Sequence, residues 1–450
     1  MKNTATPVLN RRIWMLAWPL LLSNLTAPLL SLVDTAVVGH LDSPRYLAAV
    51  AMGGNYFMFL YFSFNFLRMG TTGFTAQARG GSQSTLIVIC RALLLAAVLG
   101  GLLIAINPWL RDLGLLLLGG SDEVQTLAAQ YINIRILGAP AALANFALIG
   151  FAIGVQQTRV PFKMTLLMHG SNAVLSYSLV YIWHYDVGGV AAASAMADYL
   201  GLFAALYWLR GEFNPQARRE ALELGLLRLQ PMLQLVAVNR DLFIRSLALL
   251  SVFFFFTAQG ARLGDTLLAA NAVLITFLLI LSNLLDGFAN AAEALVGEAV
   301  GAKDQPALHR SVKATGLWSG YIALGSFVGF LLLGAPLINL LTDLDSVREV
   351  ALEYLPWMLA LPFTASLGFW LDGVFVGATR AHDMRNTMLV SVAMFFLVWW
   401  LARPLGNHGL WLAMNALMLT RGLLMALVWW HGSKTGTGAL PAATADNKTG

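Results

Sequence analysis

Charge is what this chain has least of. Aspartate, glutamate, lysine and arginine together make up 11% of its 450 residues, against the roughly 25% of a soluble domain. That shortage excludes an ordinary water-soluble enzyme or binding module. Cysteine is nearly missing as well: the single thiol, Cys90, cannot close an internal disulfide. The fold is therefore expected to rest on helix packing, and the redox compartment is not legible. The 7 histidines do not cluster at metal-ligand spacing. The phosphate-loop, zinc-hydrolase, nucleophile-elbow and paired CxxC patterns are all missing. No catalytic activity is predicted and no cofactor. The net charge of +5 is scattered over short loops without a basic arm or aromatic-interleaved patch, so nucleic acid is not expected as a partner.

What fills the chain instead is apolar. Hydrophobic residues make up 58%, and stretches of about 20 residues, the length that crosses a hydrocarbon core, recur twelve times. They fall near 13–39, 46–68, 85–106, 126–155, 162–183, 187–209, 240–258, 266–292, 312–334, 354–378, 386–403 and 409–431. The first follows the short basic stretch of MKNTATPVLNRRIW, is longer than a signal's apolar region and ends in no small-residue cleavage site. It is expected to be retained as a helix. The fold class predicted is all-α integral membrane, with the lipid bilayer as a partner.

An even number of spans puts both termini on one side. Of the 28 lysines and arginines, Arg45, Arg111, Arg262, Arg348 and Arg403 fall in the opposite loops. Arg91, Arg135, Arg245 and Arg421 fall within spans, leaving about nineteen on the terminal side, which by the positive-inside rule is cytoplasmic. The first three of those within spans lie near span ends and can snorkel. Arg421 is deeper, with two readings open: pairing with a buried carboxylate, or snorkelling. A multi-pass protein of the cell's inner (plasma) membrane is expected, its monomeric state a default.

The longest polar stretch, 210–239, divides six spans from six, and the two halves repeat. LAAVAM at 47–52 matches LAANAV at 268–273, an offset of 221 that also carries QARG at 77–80 onto EAVG at 298–301. Gly150 and Gly154 correspond to Gly373 and Gly377 at an offset of 223. The expected organisation is a six-helix lobe over 1–209, a cytoplasmic linker over 210–239, a second six-helix lobe over 240–431 and a disordered polar tail over 432–450. Two halves inserted with the same orientation are the parallel repeat of secondary transporters.

Ionisable groups within the spans are the functional candidates, because a carboxylate at bilayer depth costs at least about 2.5 kcal/mol and is seldom placed there idly. Asp34 lies about twenty residues into the first span, and the 221 offset places Phe255 opposite it, where nothing ionises. An acid needed only to build the fold would appear in both lobes. Asp34 is thus a candidate to bind a proton or sodium ion, together with Asn145, Asn172 and Asp198 of the same half. The alternative for each asparagine is a satisfied interhelical hydrogen bond. In the second half Asp286, Glu293 and Asp372 are candidates to line a substrate cavity where acids attract cations, Glu293 having the water interface as its other reading. Pro19 and Pro28 each remove a backbone hydrogen bond from the helix that carries Asp34 and prepare a bend there.

The stretches PLLLSNLTAPLLSLVDTAVVGHLDSPRYLAAVAMG, LRMGTTGFTAQARG, LLDGFANAAEALVGEAVG and LDGVFVGATRAHDMRN together resemble the multidrug and toxic compound extrusion family, in its branch like the DNA-damage-inducible protein F, over nearly all twelve spans. The resemblance implies a V of two six-helix bundles and an efflux antiporter that exchanges protons or sodium for small, often cationic, organic compounds. It makes the position of Asp34 the protonation site and that of Pro19 a bend. It matches Asn172 and the sixth-helix position of Asp198 to polar positions of the first lobe, and Asp372 to an acid implicated in transport. One departure matters: relatives often carry NxxxD on the fifth helix, whereas this chain reads NAVLS, with Ser176 in place of the second acid. That tilts the expectation toward protons and leaves sodium open. The rival readings are a lipid-linked oligosaccharide flippase, which would need a strongly basic cavity, an integral-membrane enzyme and a passive channel.

Overall fold

In the computed structural model the described residues are 5–39, 44–213, 219, 225 and 228–435, with the side chains of residues 5–6, 25–39, 44, 229 and 433–435 left outside the description. They form fourteen helices and short turns, with no strand among them. Helices α1 (Ala5–Gly39), α2 (Pro44–Ser63), α3 (Phe66–Gly80), α4 (Thr85–Leu118), α5 (Asp122–Arg135), α6 (Ala139–Gly154), α7 (Arg159–Tyr177) and α8 (Asp186–Trp208) come first. Then follow α9 (Leu229–Leu263), α10 (Asp265–Gly301), α11 (Gln305–Leu341), α12 (Asp345–Gly377), α13 (Ala381–Ala402) and α14 (Asn407–Thr435). Each apolar stretch read from the sequence has a helix, or a broken pair of helices, over it.

Ten of these spans are long and apolar enough to cross a bilayer by composition alone, among the described residues. The segment carrying α7 falls outside that set, since Arg159, Lys163, His169, Ser171 and Asn172 dilute it. The helices overrun the stretches read from sequence. At 1.5 Å per residue the 37-residue α10 is about 55 Å long, against about 30 Å of hydrocarbon, so the apolar stretch marks only its centre. Large apolar side chains face outward along the spans, among them Leu116 at 77% and Leu340 at 81% exposure. In water such faces would aggregate; lipid is the solvent that accepts them.

The chain divides into two compact units. One comprises residues 18–79 and 83–236, the other residues 1–17, 80–82 and 237–450. Helix α1 thus contributes to both, and the change falls between Ala17 and Trp18, next to Pro19. In the first unit α4 lies on α6, α7 on α8, and α5 on α2 and α8, around a core that includes Ile89, Leu148, Phe151 and Met164. In the second, α10 and α12 pack most extensively, and α14 lies against α12 and α13, around Phe277, Leu281, Met358, Phe395 and Trp411. Buried amides fix α10 to α14: Asn271 Nδ2 donates to Asn407 Oδ1 at 2.8 Å, Asn407 Nδ2 returns a bond at 3.0 Å, and the Trp411 indole donates to Asn271 Oδ1 at 2.9 Å.

The repeat is visible in matched contacts. A Cβ on Gly150 would run into the carbonyl of Arg68, and one on Gly373 into that of Ala289. Gly154 faces Thr72 O and Thr75 Cβ, while Gly377 faces Glu293 O and Val296 Cβ. The offset of 221 carries 68, 72 and 75 onto 289, 293 and 296. Each unit therefore has the same helix crossing, close enough that only hydrogen fits. The halves differ in continuity. Residues 64–65 interrupt α2 and α3, and a 3-10 turn, Ile136–Gly138, separates α5 from α6, where Pro140 lacks the N–H to continue the ladder. Their counterparts α10 and α12 run unbroken.

Candidate functional site

Of the first-half candidates, Asp34 and Pro28 lie on α1 with side chains outside the described residues, and Pro19 is buried on the same helix. Asn172 of α7 is 2% exposed, and its Oδ1 accepts from two hydroxyls, Ser176 Oγ at 3.4 Å and Ser194 Oγ at 3.3 Å. Ser176 is the residue that the family resemblance sets in place of a second acid. Ser194, from α8, was not anticipated; its only sequence signal is a position one turn before Asp198. Asn145 of α6 is 3% exposed and donates to the backbone carbonyl of Asp198 at 2.8 Å, which ties α6 to α8. That is the interhelical bond left open as its alternative reading. Its own Oδ1 is buried without a partner.

Asp198 is brought beside Asn145 through its backbone, but its side chain points elsewhere. A Cβ placed on Gly138 would lie 3.3 Å from Asp198 Oδ2, so the carboxylate faces the break between α5 and α6. Oδ2 is buried and has no hydrogen-bond partner. Arg135, the last residue of α5, is near enough to act on it electrostatically. The sequence places Arg135 near a span end, free to snorkel. The structure instead turns it inward, its guanidinium donating to Tyr131 Oη at 3.0 Å and lying 5.1 Å from the Phe57 ring centroid.

In the second unit Asp372 is 8% exposed, and its Oδ2 accepts from Arg245 and forms an ion pair with Arg421 as well. This settles the two readings of Arg421 in favour of a buried carboxylate. It also corrects the expectation for Arg245, which is 7% exposed and points into the bundle rather than snorkelling. Arg421 lies over Phe369 at 5.2 Å and within electrostatic reach of Asp286. One acid and two bases are thus paired directly here, with Asp286 within electrostatic reach. Glu293 is 2% exposed, and its backbone carbonyl faces Gly377 in the helix crossing, so it is packed inside the bundle rather than at the water interface. Among the described residues no group of three or more histidine, cysteine or acidic side chains is placed to hold a metal ion.

Position by position, the two halves treat their common site differently. The counterparts of Asn172 and Ser176 at an offset of 223 are Phe395 and Trp399, and the residue opposite Asp34 is Phe255. These three come together: Phe255 lies 6.0 Å from Phe395 and 4.8 Å from Trp399, ring centroid to centroid, and 5.0 Å from Phe396. Where the first half has hydroxyls and an amide, the second is closed by rings.

The MatE family model matches twice, over residues 19–178 and 242–401. The two matches start 223 residues apart, the offset read from the glycines. The DNA damage-inducible protein F of Escherichia coli (strain K12) is 42% identical over 439 residues, covering 95% of this chain and 94% of that protein. Among solved structures, the Vibrio cholerae MATE transporter VcmN in its bent form superposes with a TM-score of 0.86 at 17% identity, over 97% of this chain and 100% of the other. An outward-facing multidrug resistance MATE transporter of the MOP superfamily gives 0.78 at 18% identity, over 97% and 99%. With both halves matched and a relative so similar along almost the whole length, the chain belongs to the MatE family of integral membrane proteins, in the branch of DNA damage-inducible protein F.

Proposed function

We propose that this chain is a secondary active antiporter of the inner (plasma) membrane that exports organic compounds, often cationic, in exchange for protons, with Asp34 as the group that changes charge. The observation that carries the reading is the unequal treatment of one repeated site. The first half keeps Asn172, Ser176 and Ser194 hydrogen-bonded to one another, while in the second the counterparts of Asp34, Asn172 and Ser176 are the packed rings Phe255, Phe395 and Trp399. A polar set retained in one lobe only, at the depth where polar groups are costly, is specialised chemistry rather than scaffold.

In this scheme a proton arriving at Asp34 from outside neutralises the carboxylate, favours a bend of α1 prepared by Pro19, and lowers the lobe's hold on a cationic substrate. Release of the proton toward the cytoplasm restores it. Each pH unit supplies about 1.4 kcal/mol per proton and each 100 mV about 2.3 kcal/mol per charge moved, enough to bias two states. Protons are favoured over sodium because Asn172 Oδ1 already accepts two hydroxyl hydrogens, and Ser176 offers no anionic oxygen to complete a cation shell. The lipid-linked oligosaccharide flippase fits less well, since Arg245 and Arg421 are engaged by Asp372 and leave the second half without the strongly basic cavity it requires.

Reconstitution into liposomes under imposed gradients tests the reading. The parent is expected to move a cationic dye when a proton gradient is applied and not when a sodium gradient of equal size is applied. The Asp34→Asn variant is expected to lose gradient-driven flux. A normal rate in that variant refutes the coupling role, and flux that follows sodium refutes the choice of ion.

A further inference from the structure

Arg135 is a charge inside the span 122–154 that the coupling scheme above does not use. Its guanidinium lies on an aromatic cradle, 5.1 Å from the centroid of Phe57 and 5.9 Å from that of Tyr131, and donates to Tyr131 Oη at 3.0 Å. Tyr61 extends the cradle, 5.3 Å from Phe57, and its hydroxyl is buried without a partner. Across the α5–α6 break stands Asp198, whose Oδ2 faces Gly138, three residues past Arg135, and is likewise buried without a partner. Among the described residues no ion pair joins Asp198 to Arg135. The contrast within the same molecule is in ion pairing: Asp372 Oδ2 is paired with two arginines, whereas among the described residues no ion pair meets Asp198.

Aromatic rings beside an unmet carboxylate are the arrangement that recognises an organic cation, and a guanidinium on those rings is chemically such a cation, already tethered. We propose that Arg135 is a built-in competitor for Asp198: it withdraws to the Phe57 and Tyr131 rings when the cationic group of a substrate sits at Asp198, and moves onto the carboxylate when that group departs. Arg135 is then a specificity-determining residue, and the proposal rests on the reading of organic-cation export. A buried carboxylate without a counter-charge is costly, so an emptied Asp198 draws the nearest cation. Among the described residues the titratable and charged side chains around this part of α8 include Tyr56 and Tyr61 from α2, Tyr131 and Arg135 from α5, His169 from α7 and Tyr199 of α8 itself. Of these Arg135 is the one whose charge acts on Asp198. A tethered competitor lowers the apparent affinity of a free ligand by the fraction of time it holds the site, and it hastens release. Uncharged compounds do not compete for the carboxylate.

The test uses the full chain with two probes, ethidium as a planar organic cation and Nile red as an uncharged dye. Binding is read by fluorescence anisotropy and transport in liposomes. Arg135→Gln is expected to bind ethidium about tenfold more tightly, by removal of the occupying competitor, and to show a lower KM together with a lower kcat, with Nile red binding unchanged. The gain should vanish in Asp198→Asn/Arg135→Gln, which should bind ethidium no more tightly than Asp198→Asn. Tyr131→Phe, which removes the hydroxyl holding the guanidinium on its cradle, should weaken ethidium binding, and it keeps the test open if Arg135→Gln does not fold. Unchanged or weaker ethidium binding in a folded Arg135→Gln overturns the proposal, as does a gain that survives in the double variant. If the parent binds ethidium but moves it under no gradient, it is the antiporter reading that fails. If the parent does not bind ethidium, both fall.

Discussion

At Asp372 a single buried carboxylate meets two buried guanidiniums. Breaking such a set is costlier than never having built it: removing one member of a buried pair typically loses about 3–5 kcal/mol, because its partner is stranded. Asp372→Asn is therefore expected to lower the melting temperature of the detergent-solubilised protein markedly, and substitution of Asp372, Arg245 and Arg421 together by Leu and Met to recover most of that loss. A melting temperature unchanged by Asp372→Asn would contradict the geometry. At Asn172, substitution by Ala strands the hydroxyls of Ser176 and Ser194, a penalty of about 1–3 kcal/mol per unmet buried group. Folded Asn172→Ala should unfold earlier in a thermal scan than Ser176→Ala, which removes one donor only. The candidate acids were legible because intramembrane charges are rare and conspicuous in an apolar chain. Their charge balance was not, since Arg245 lies 127 residues from Asp372 and no local pattern relates them. Asp372 reads as a lure for cations until its two arginines are seen.

Helix crossings carry the repeat. Gly150 and Gly373 each lie against a carbonyl of the neighbouring helix, Arg68 and Ala289 respectively, and a methyl group there must push apart two backbones that have no slack. Gly373→Ala is expected to cost about 1–3 kcal/mol, the usual range for overpacking, whereas Gly320→Ala, with nothing within 4 Å of its added Cβ, should be neutral or stabilising. Equal melting temperatures for the two would show that the crossing relaxes. The glycine spacing and the offset were readable in the sequence, because close packing in lipid demands small residues at fixed intervals. The interruptions at 64–65 and 136–138 were not, because apolar periodicity continues through them and a broken helix keeps its hydrophobicity. They matter for the site: Arg135 and Asp198 flank one of them.

Orientation belongs to the whole molecule. The excess of lysine and arginine on the terminal side predicts both ends in the cytoplasm, which places Arg262, in the last turn of α9, outside and Lys303, between α10 and α11, inside. In a Cys90→Ser background, a membrane-impermeant maleimide applied to intact cells is expected to label Arg262→Cys and not Lys303→Cys; the reverse pattern inverts the orientation. Hydropathy and repetition alone gave the membrane class, the number of apolar stretches and their division into two homologous halves, because lipid imposes length and apolarity on every span and duplication copies spacing; the family came from the resemblance of four motif stretches. Tertiary structure decided what those one-dimensional signals cannot hold: that residues 5–17 group with the second unit, that Ser194 joins Asn172, that Asp372 is paired with two arginines while no ion pair among the described residues meets Asp198. Each of these depends on which helix faces become neighbours, and inside a low-dielectric bundle a charge is defined by the groups packed around it rather than by its place along the chain.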